Sequence, residues 1–347
     1  MVAVRSRILA RVSSAIDSGA GIRAAEDLLG EPVLRSEPAR WGFSAQTTLL
    51  TLRSGRCVVL QEHVAQVAAV AQVAAVAQAG VGEKVRAAAV VLAGCGIPVP
   101  TILACFVIRA TEVLLFELVE GIPGPDLLDD PVQGPLLARA MGAQLALLST
   151  ADPGDHLTDT SWASAPVLVE SVRSWCATLR ERVPPVAVRA ARRRVTAQVW
   201  RPVVVHGDFV PANVIVADGR IVALIDLAGV ALGHPLLDAA WWALVVRHHH
   251  ASLAPRLEPL LLASAGIPTA GPQASLLPHV ALLRAVELAA GSVGPRREHQ
   301  LRLLETAQAW SAAALIAEAA ARSAPGPKPR TERAACAPTH HLEGRGP

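Results

Sequence analysis

The chain has 347 residues, 52% of them apolar and 18% charged, which describes a globular protein with room for two lobes around a sizeable core. A net charge of +3 with scattered basic residues gives no basis for a nucleic-acid partner. Five separated cysteines (Cys57, Cys95, Cys105, Cys176, Cys336) lack metal-binding spacing and read as reduced thiols of a cytoplasmic protein.

Val4, Ile8, Leu9, Val12 and Ile16 recur at helical spacing, so residues 1–39 are expected to form a helical extension. Arg5, Arg7 and Arg11 interrupt any signal-peptide core. Residues 40–120 read as a strand-rich lobe. Gly42–Thr47, with Ser44 inside it, leads into Leu49–Arg53, a Ser54-Gly55 turn and Cys57–Gln61, a hairpin. The leading segment is either a plain Gly/Ser turn or a loop whose N–H groups face phosphates. His63–Gln78 contains AQVAAV twice in tandem and reads as an Ala-rich helix or loop with no chemistry. Glu83–Ala93 is the next helix, followed by strands over Thr101–Ala110 and Val113–Val119. Glu120-Gly121-Ile122-Pro123-Gly124-Pro125 then closes the lobe, because Gly and Pro stop a strand and re-aim the chain.

Residues 121–322 are mostly helical in pattern. Gly134–Ser149, Val167–Leu179, Ala254–Ala263, Leu276–Ala290 and Arg297–Ala321 have helical spacing. Arg189, Arg192, Arg193 and Arg194 read as a solvated helix face, and His248-His249-His250 as a solvated helix end. Pro259–Leu283 is uncharged and long enough to span a bilayer, but Pro259, Pro268, Pro272 and Pro278 argue against a membrane helix. Residues 323–347 are rich in Pro, Arg and Gly and are expected to be disordered.

The informative stretch is Val203–Trp242. A short apolar strand delivers His206-Gly207-Asp208, and Asn213 follows five residues after Asp208. Val214–Val216, an Asp218-Gly219 turn and Ile221–Ile225 read as a second hairpin, ended by Asp226. Asn213 is the only asparagine in a chain with no tyrosine and two lysines, so its place here stands out against the composition. Phosphoryl transfer asks a protein for a carboxylate that orients and deprotonates the attacking hydroxyl, and for oxygen ligands that hold magnesium against nucleotide phosphates. Asp208 suits the base, Asn213 an amide ligand and Asp226 the main metal carboxylate. The competing reading is a buried hairpin whose Asp and Asn cap turns.

His206-Gly207-Asp208 with Asn213, then Ile225-Asp226, then Gly233-His234-Pro235 with Asp238-Ala239-Ala240 resembles the aminoglycoside phosphotransferase/choline kinase family. The resemblance implies an α+β, two-lobed, protein-kinase-like fold with ATP between the lobes. It places the adenine against backbone near Glu117 and Val119, with Ser44, Gln61 and Glu83 on the phosphate side and His206 and Asp238 supporting the loop. Its implied partners are ATP, Mg²⁺ and a small hydroxylated acceptor such as an aminoglycoside, a macrolide or a metabolite. A monomer or weak dimer without membrane or nucleic-acid attachment is expected.

Two positions depart from the family pattern. Gln61 stands where a lysine or arginine on the strand would pair with a helix carboxylate such as Glu83, and His234 stands where an Asp is usual. Gln carries no charge, while Arg53 or Arg56 on the same hairpin could compensate. Two readings stay open: an active small-molecule kinase, or a pseudokinase-like protein that binds nucleotide with little turnover.

Overall fold

The computed structural model describes residues 18–39, 46–64, 80–108, 111–179 and 182–323. Ser44, the duplicated AQVAAV segment and the C-terminal tail lie outside them.

A five-stranded antiparallel sheet forms the N-terminal lobe, in the order β1 (Val33–Pro38), β2 (Gln46–Leu52), β3 (Cys57–Val64), β5 (Thr111–Glu117), β4 (Ile102–Ile108). Helix α1 (Ser18–Leu29) covers its outer face, where Leu50, Leu52, Val58, Leu60, Val113, Leu115 and Ala25 form a small core. The inner face packs on helix α2 (Val81–Gly94) and is continuous with the main core. Successive strand residues point to opposite faces. Val58, Leu60 and Glu62 are therefore buried outward, while Val59, Gln61 and His63 share the inner face.

Two expectations are corrected here. Residues 33–38 are not part of a helical extension: they form the edge strand β1, paired with β2 from Val33↔Leu52 to Pro38↔Thr48. All six of its residues are exposed or half-buried, which hides its strand character from a hydropathy pattern. The strand after the Ser54-Gly55 turn does not stop at Gln61. Glu62 and His63 continue it because β5 offers Val113 and Glu112 as partners.

Beyond Glu117 the chain passes through β6 (Ile122–Pro123) and α3 (Pro125–Leu128) into α4 (Gln133–Thr150), α5 (Ala165–Leu179) and α6 (Pro185–Thr196). Strand β7 (Val203–Val205) pairs with β10 (Ala231–Gly233), and β8 (Val214–Ala217) with β9 (Arg220–Leu224) forms the second hairpin. Helices α7 (Leu237–His249), α8 (Ala254–Ser264), α9 (Pro272–Gly291) and α10 (Gly294–Ser323) complete the lobe. Among the described residues α9 is the one helix long and apolar enough to cross a membrane. It is instead a core helix, with Leu276, Val280, Leu283 and Val286 buried between neighbouring helices.

The arginine face of α6 is tied down at one point, where Arg194 pairs with Glu318 of α10 at 2.8 Å. Nor is the histidine run a simple solvated end. His248 Nδ1 lies 2.7 Å from Thr306 Oγ1, and the rings of His249 and His299 stack with centroids 5.5 Å apart.

Candidate active site

The loop between β7 and β8 is shaped by Gly207, whose φ of 80° favours glycine. A Cβ there would stand 2.5 Å from the Gly229 carbonyl oxygen, so no side chain fits. Asp238, in the first turn of α7 and 3% exposed, fixes the same loop: Oδ2 accepts the His206 N–H at 2.6 Å and Oδ1 the Gly207 N–H at 2.9 Å. Burial pushes the Asp238 carboxyl above the ordinary carboxylate range, against the pull of His206, the two N–H groups and Arg284. Arg284 of α9 donates to the Gly207 carbonyl and to Glu287, which also accepts from Trp162 Nε1 at 2.7 Å.

His206 Nδ1 accepts the Asp208 N–H at 3.3 Å, which leaves Nε2 to donate to the Ile225 carbonyl at 3.0 Å. One imidazole thus ties the Asp208 loop to the residue before Asp226. Asn213 closes the loop: its Nδ2 donates to the Asp208 carbonyl at 2.8 Å and to Asp208 Oδ2 at 3.1 Å. Its own carbonyl accepts the Ile225 N–H at 2.9 Å. Asp226 follows at φ 61°, a left-handed conformation that Asp tolerates. Asp208, Asn213 and Asp226 are therefore brought together by hydrogen bonds that run through their own backbone. Asp208 Oδ1 has a further partner, the indole Nε1–H of Trp241 at 2.8 Å.

The donor set suits a hard cation. Both protons of the Asn213 amide lie on Nδ2, so its Oδ1 is the acceptor left to a ligand, and with the Asp226 carboxylate it could supply the few hard oxygens that Mg²⁺ takes from a protein. Among the described residues no three His, Cys, Asp or Glu side chains converge as an alternative metal centre.

Across from this loop, Gln61 is half-buried on the inner face of β3. Glu83 is exposed in the first turn of α2 and makes no hydrogen bond to Gln61 among the described residues. The carboxylate serving that end of α2 is Glu112 of β5, which accepts the Gly80 and Gly82 N–H groups at 2.8 and 3.1 Å. Gly82 itself presses on Cys105, which holds the helix close to the sheet. Neither Arg53 nor Arg56 compensates for Gln61. Arg56 pairs with Glu117 at 3.1 Å, five strand residues (about 16 Å) from Gln61, and Arg53 is exposed in the turn beyond. Glu117 donates its N–H to Thr101, and the Val119 N–H donates to no group among the described residues.

His234 behaves as an acceptor, as an Asp would: its Nδ1 takes the Leu236 N–H at 3.1 Å where α7 begins. Burial beside Trp200 pushes its pKa down to about 4, so it stays neutral and can accept. Acidic side chains in the loops of the helical lobe have local partners. Asp130 accepts Val132 and Gln133 N–H groups, Asp152 that of Gly154, and Asp129 faces His250. Trp242 is buried with its Nε1 on Met141 Sδ, and Trp241 is 3% exposed.

Trp241, Glu112, His63 and Arg284 were not readable as site residues, since their partners lie far along the chain. His63 reads as the start of the Ala-rich segment, and only the pairing of β3 with β5 sets it on the same face as Gln61.

Comparison with known proteins identifies the family and the fold. The model of the family described as "APH: Phosphotransferase enzyme family" matches residues 35–269. Among solved structures, the chain is similar to a thermostable mutant of aminoglycoside phosphotransferase APH(4)-Ia in ternary complex with AMP-PNP and hygromycin B. That likeness has 15% identity, covers 86% of this chain and 98% of the other, and has a TM-score of 0.63. It is also similar to the GDP complex of aminoglycoside 2'-phosphotransferase-IIIa, with 15% identity over 80% and 93% of the chains and a TM-score of 0.61. An aminoglycoside-3'-phosphotransferase of type VIII reaches 20% identity over 83% and 98%, with a TM-score of 0.52. No match is found among curated protein sequences. With well over half its length matched and a strand-rich lobe set against a helical one, this chain belongs to the APH phosphotransferase enzyme family and has its protein-kinase-like fold.

Proposed function

We propose that the protein transfers the γ-phosphoryl group of ATP to a hydroxyl of a small molecule, with Asp208 as the base. The observation that carries this is the closed arrangement of Asp208 and Asn213 beside Asp226. Asp208 Oδ1 is held by Trp241, which orients the carboxylate so that Oδ2 takes the proton of the acceptor hydroxyl. The acceptor oxygen forms its bond to the γ-phosphorus as the bond to the β–γ bridging oxygen breaks, and ADP leaves. Asn213 Oδ1 and Asp226 would hold Mg²⁺, which supplies charge neutralisation at the phosphate oxygens when bound. The Val119 N–H and the Glu117 carbonyl would meet the adenine edge, and Gln61 the phosphates. That similar structures carry AMP-PNP and hygromycin B supports a nucleotide and a polyhydroxylated acceptor, an aminoglycoside first among candidates.

Gln61 keeps the second reading in view, a nucleotide-binding protein with little turnover. ADP release measured with Mg²⁺ over a panel of aminoglycosides, macrolides and amino alcohols separates the two. Asp208→Ala and Asp226→Ala should bring the rate to background with the fold retained. A wild-type rate no higher than that of Asp208→Ala against every acceptor would refute the kinase reading. Gln61→Lys should then raise nucleotide affinity, because a unit charge about 4 Å from a phosphate oxygen is worth about 4 kcal/mol at an effective dielectric of 20, before desolvation.

A further inference from the structure

The inner face of β3 carries a second polar side chain. His63 lies two residues beyond Gln61, on the same side of the strand and about 7 Å further along it. Its Nε2 is buried and has no hydrogen-bond partner among the described residues. Its cross-strand partner is Glu112, whose two carboxylate oxygens are already committed to the N–H groups of Gly80 and Gly82. A buried nitrogen left without a partner is destabilising, so a ligand that meets it recovers that cost on binding.

The ring also senses the opposite lobe. Burial pushes the His63 pKa below its ordinary value, and the negative charges of Asp226 and Glu112 oppose that shift. His63 therefore lies within electrostatic reach of the carboxylate assigned above to the metal.

We propose that His63 is a second nucleotide-binding donor of the N-terminal lobe beside Gln61, giving its Nε2–H to a β- or γ-phosphate oxygen where the lobe has no cation on β3. This rests on the nucleotide reading above and adds a residue that the family pattern does not assign. A neutral imidazole serves, since what the phosphate needs from it is one directed N–H. The consequence is a clamp built from two neutral donors, Gln61 and His63, in place of one ammonium. Such a clamp gains most from the longer phosphate chain and nothing from the base.

The test is equilibrium binding of a non-hydrolysable ATP analogue, ADP, AMP and adenosine to the full chain with Mg²⁺, by calorimetry, for wild type, His63→Ala and His63→Gln. His63→Ala should weaken the triphosphate analogue roughly ten- to a hundredfold, the range for a hydrogen bond to a charged group. Adenosine and AMP should bind as to wild type, and His63→Gln, which keeps a donor, should recover part of the loss. An unchanged triphosphate affinity in His63→Ala would overturn the assignment, as would an equal loss across all four ligands. If wild type binds none of the four, the nucleotide reading itself fails, a result distinct from wild-type binding that is indifferent to His63.

Discussion

Replacing Asp238 by Asn tests whether one buried carboxylate holds the loop that carries Asp208. The aspartate accepts two backbone N–H groups, at 2.6 and 2.9 Å, at a site 3% exposed to solvent. Asparagine keeps one acceptor oxygen and turns an NH₂ toward the other N–H. That removes a charge-assisted bond, worth about 1.5–3 kcal/mol, and strands a buried donor at about 1–3 kcal/mol. The positive charge of Arg284 also loses its anionic neighbour. Against these stands the desolvation that already pushes the Asp238 carboxyl upward, a cost the neutral amide escapes. The balance is a loss of about 2–4 kcal/mol. Urea unfolding followed by tryptophan fluorescence reads it directly: with an m-value of about 3 kcal/mol/M, the midpoint should fall by about 1 M. A midpoint within about 0.2 M of wild type at unchanged m would refute the reasoning, for the N–H groups would then be satisfied without the charge.

Trp241→Phe removes the N–H on Asp208 Oδ1 and keeps most of the ring volume. kcat should fall about ten- to a hundredfold with the nucleotide KM little changed, as ADP-release kinetics would record; a parallel rise in nucleotide KM would point to general disruption. Acid stability should reflect His234 and His279, both neutral in the fold with pKa values pushed down to about 4 from 6.5, chiefly by burial. The unfolded chain binds more protons between those values, so stability rises with pH across that window and is lost as pH falls from 6.5 toward 4. Each histidine contributes at most about 3 kcal/mol to that loss. Thermal melts from pH 7.5 to 4.5 should show it, and His234→Asn should flatten the slope.

What the sequence made legible was local. The Asp208–Asn213 spacing and the hairpin to Asp226 are read within one short segment, because a turn and two strands specify themselves through neighbours. The helical lobe was legible through its apolar periodicity, α9 included, where proline content argued against a membrane span. What stayed hidden was non-local. Glu112 and α2 are about 30 residues apart, and their meeting depends on β5 pairing beside β3. Trp241 and Asp208 meet across 33 residues, so no spacing rule links them. Edge strand β1 was missed because an exposed strand carries little apolar alternation, and the end of β3 because its last residues are polar on both faces.

The main apolar core does not stop at the boundary between lobes. It runs from Val85 and Leu92 of α2 and Leu114 and Phe116 of β5 through Val214 and Leu224 of the second hairpin to Leu282 and Val286 of α9. The Leu224 N–H is bonded across the same boundary to the Pro98 carbonyl at 2.8 Å. Melting the inner half of the strand-rich lobe would therefore strip the wall from the hairpin that presents Asn213 and Asp226. The shared core predicts that folding and site assembly are coupled, so that loss of the strand-rich lobe also disorders the hairpin carrying the phosphate-handling residues.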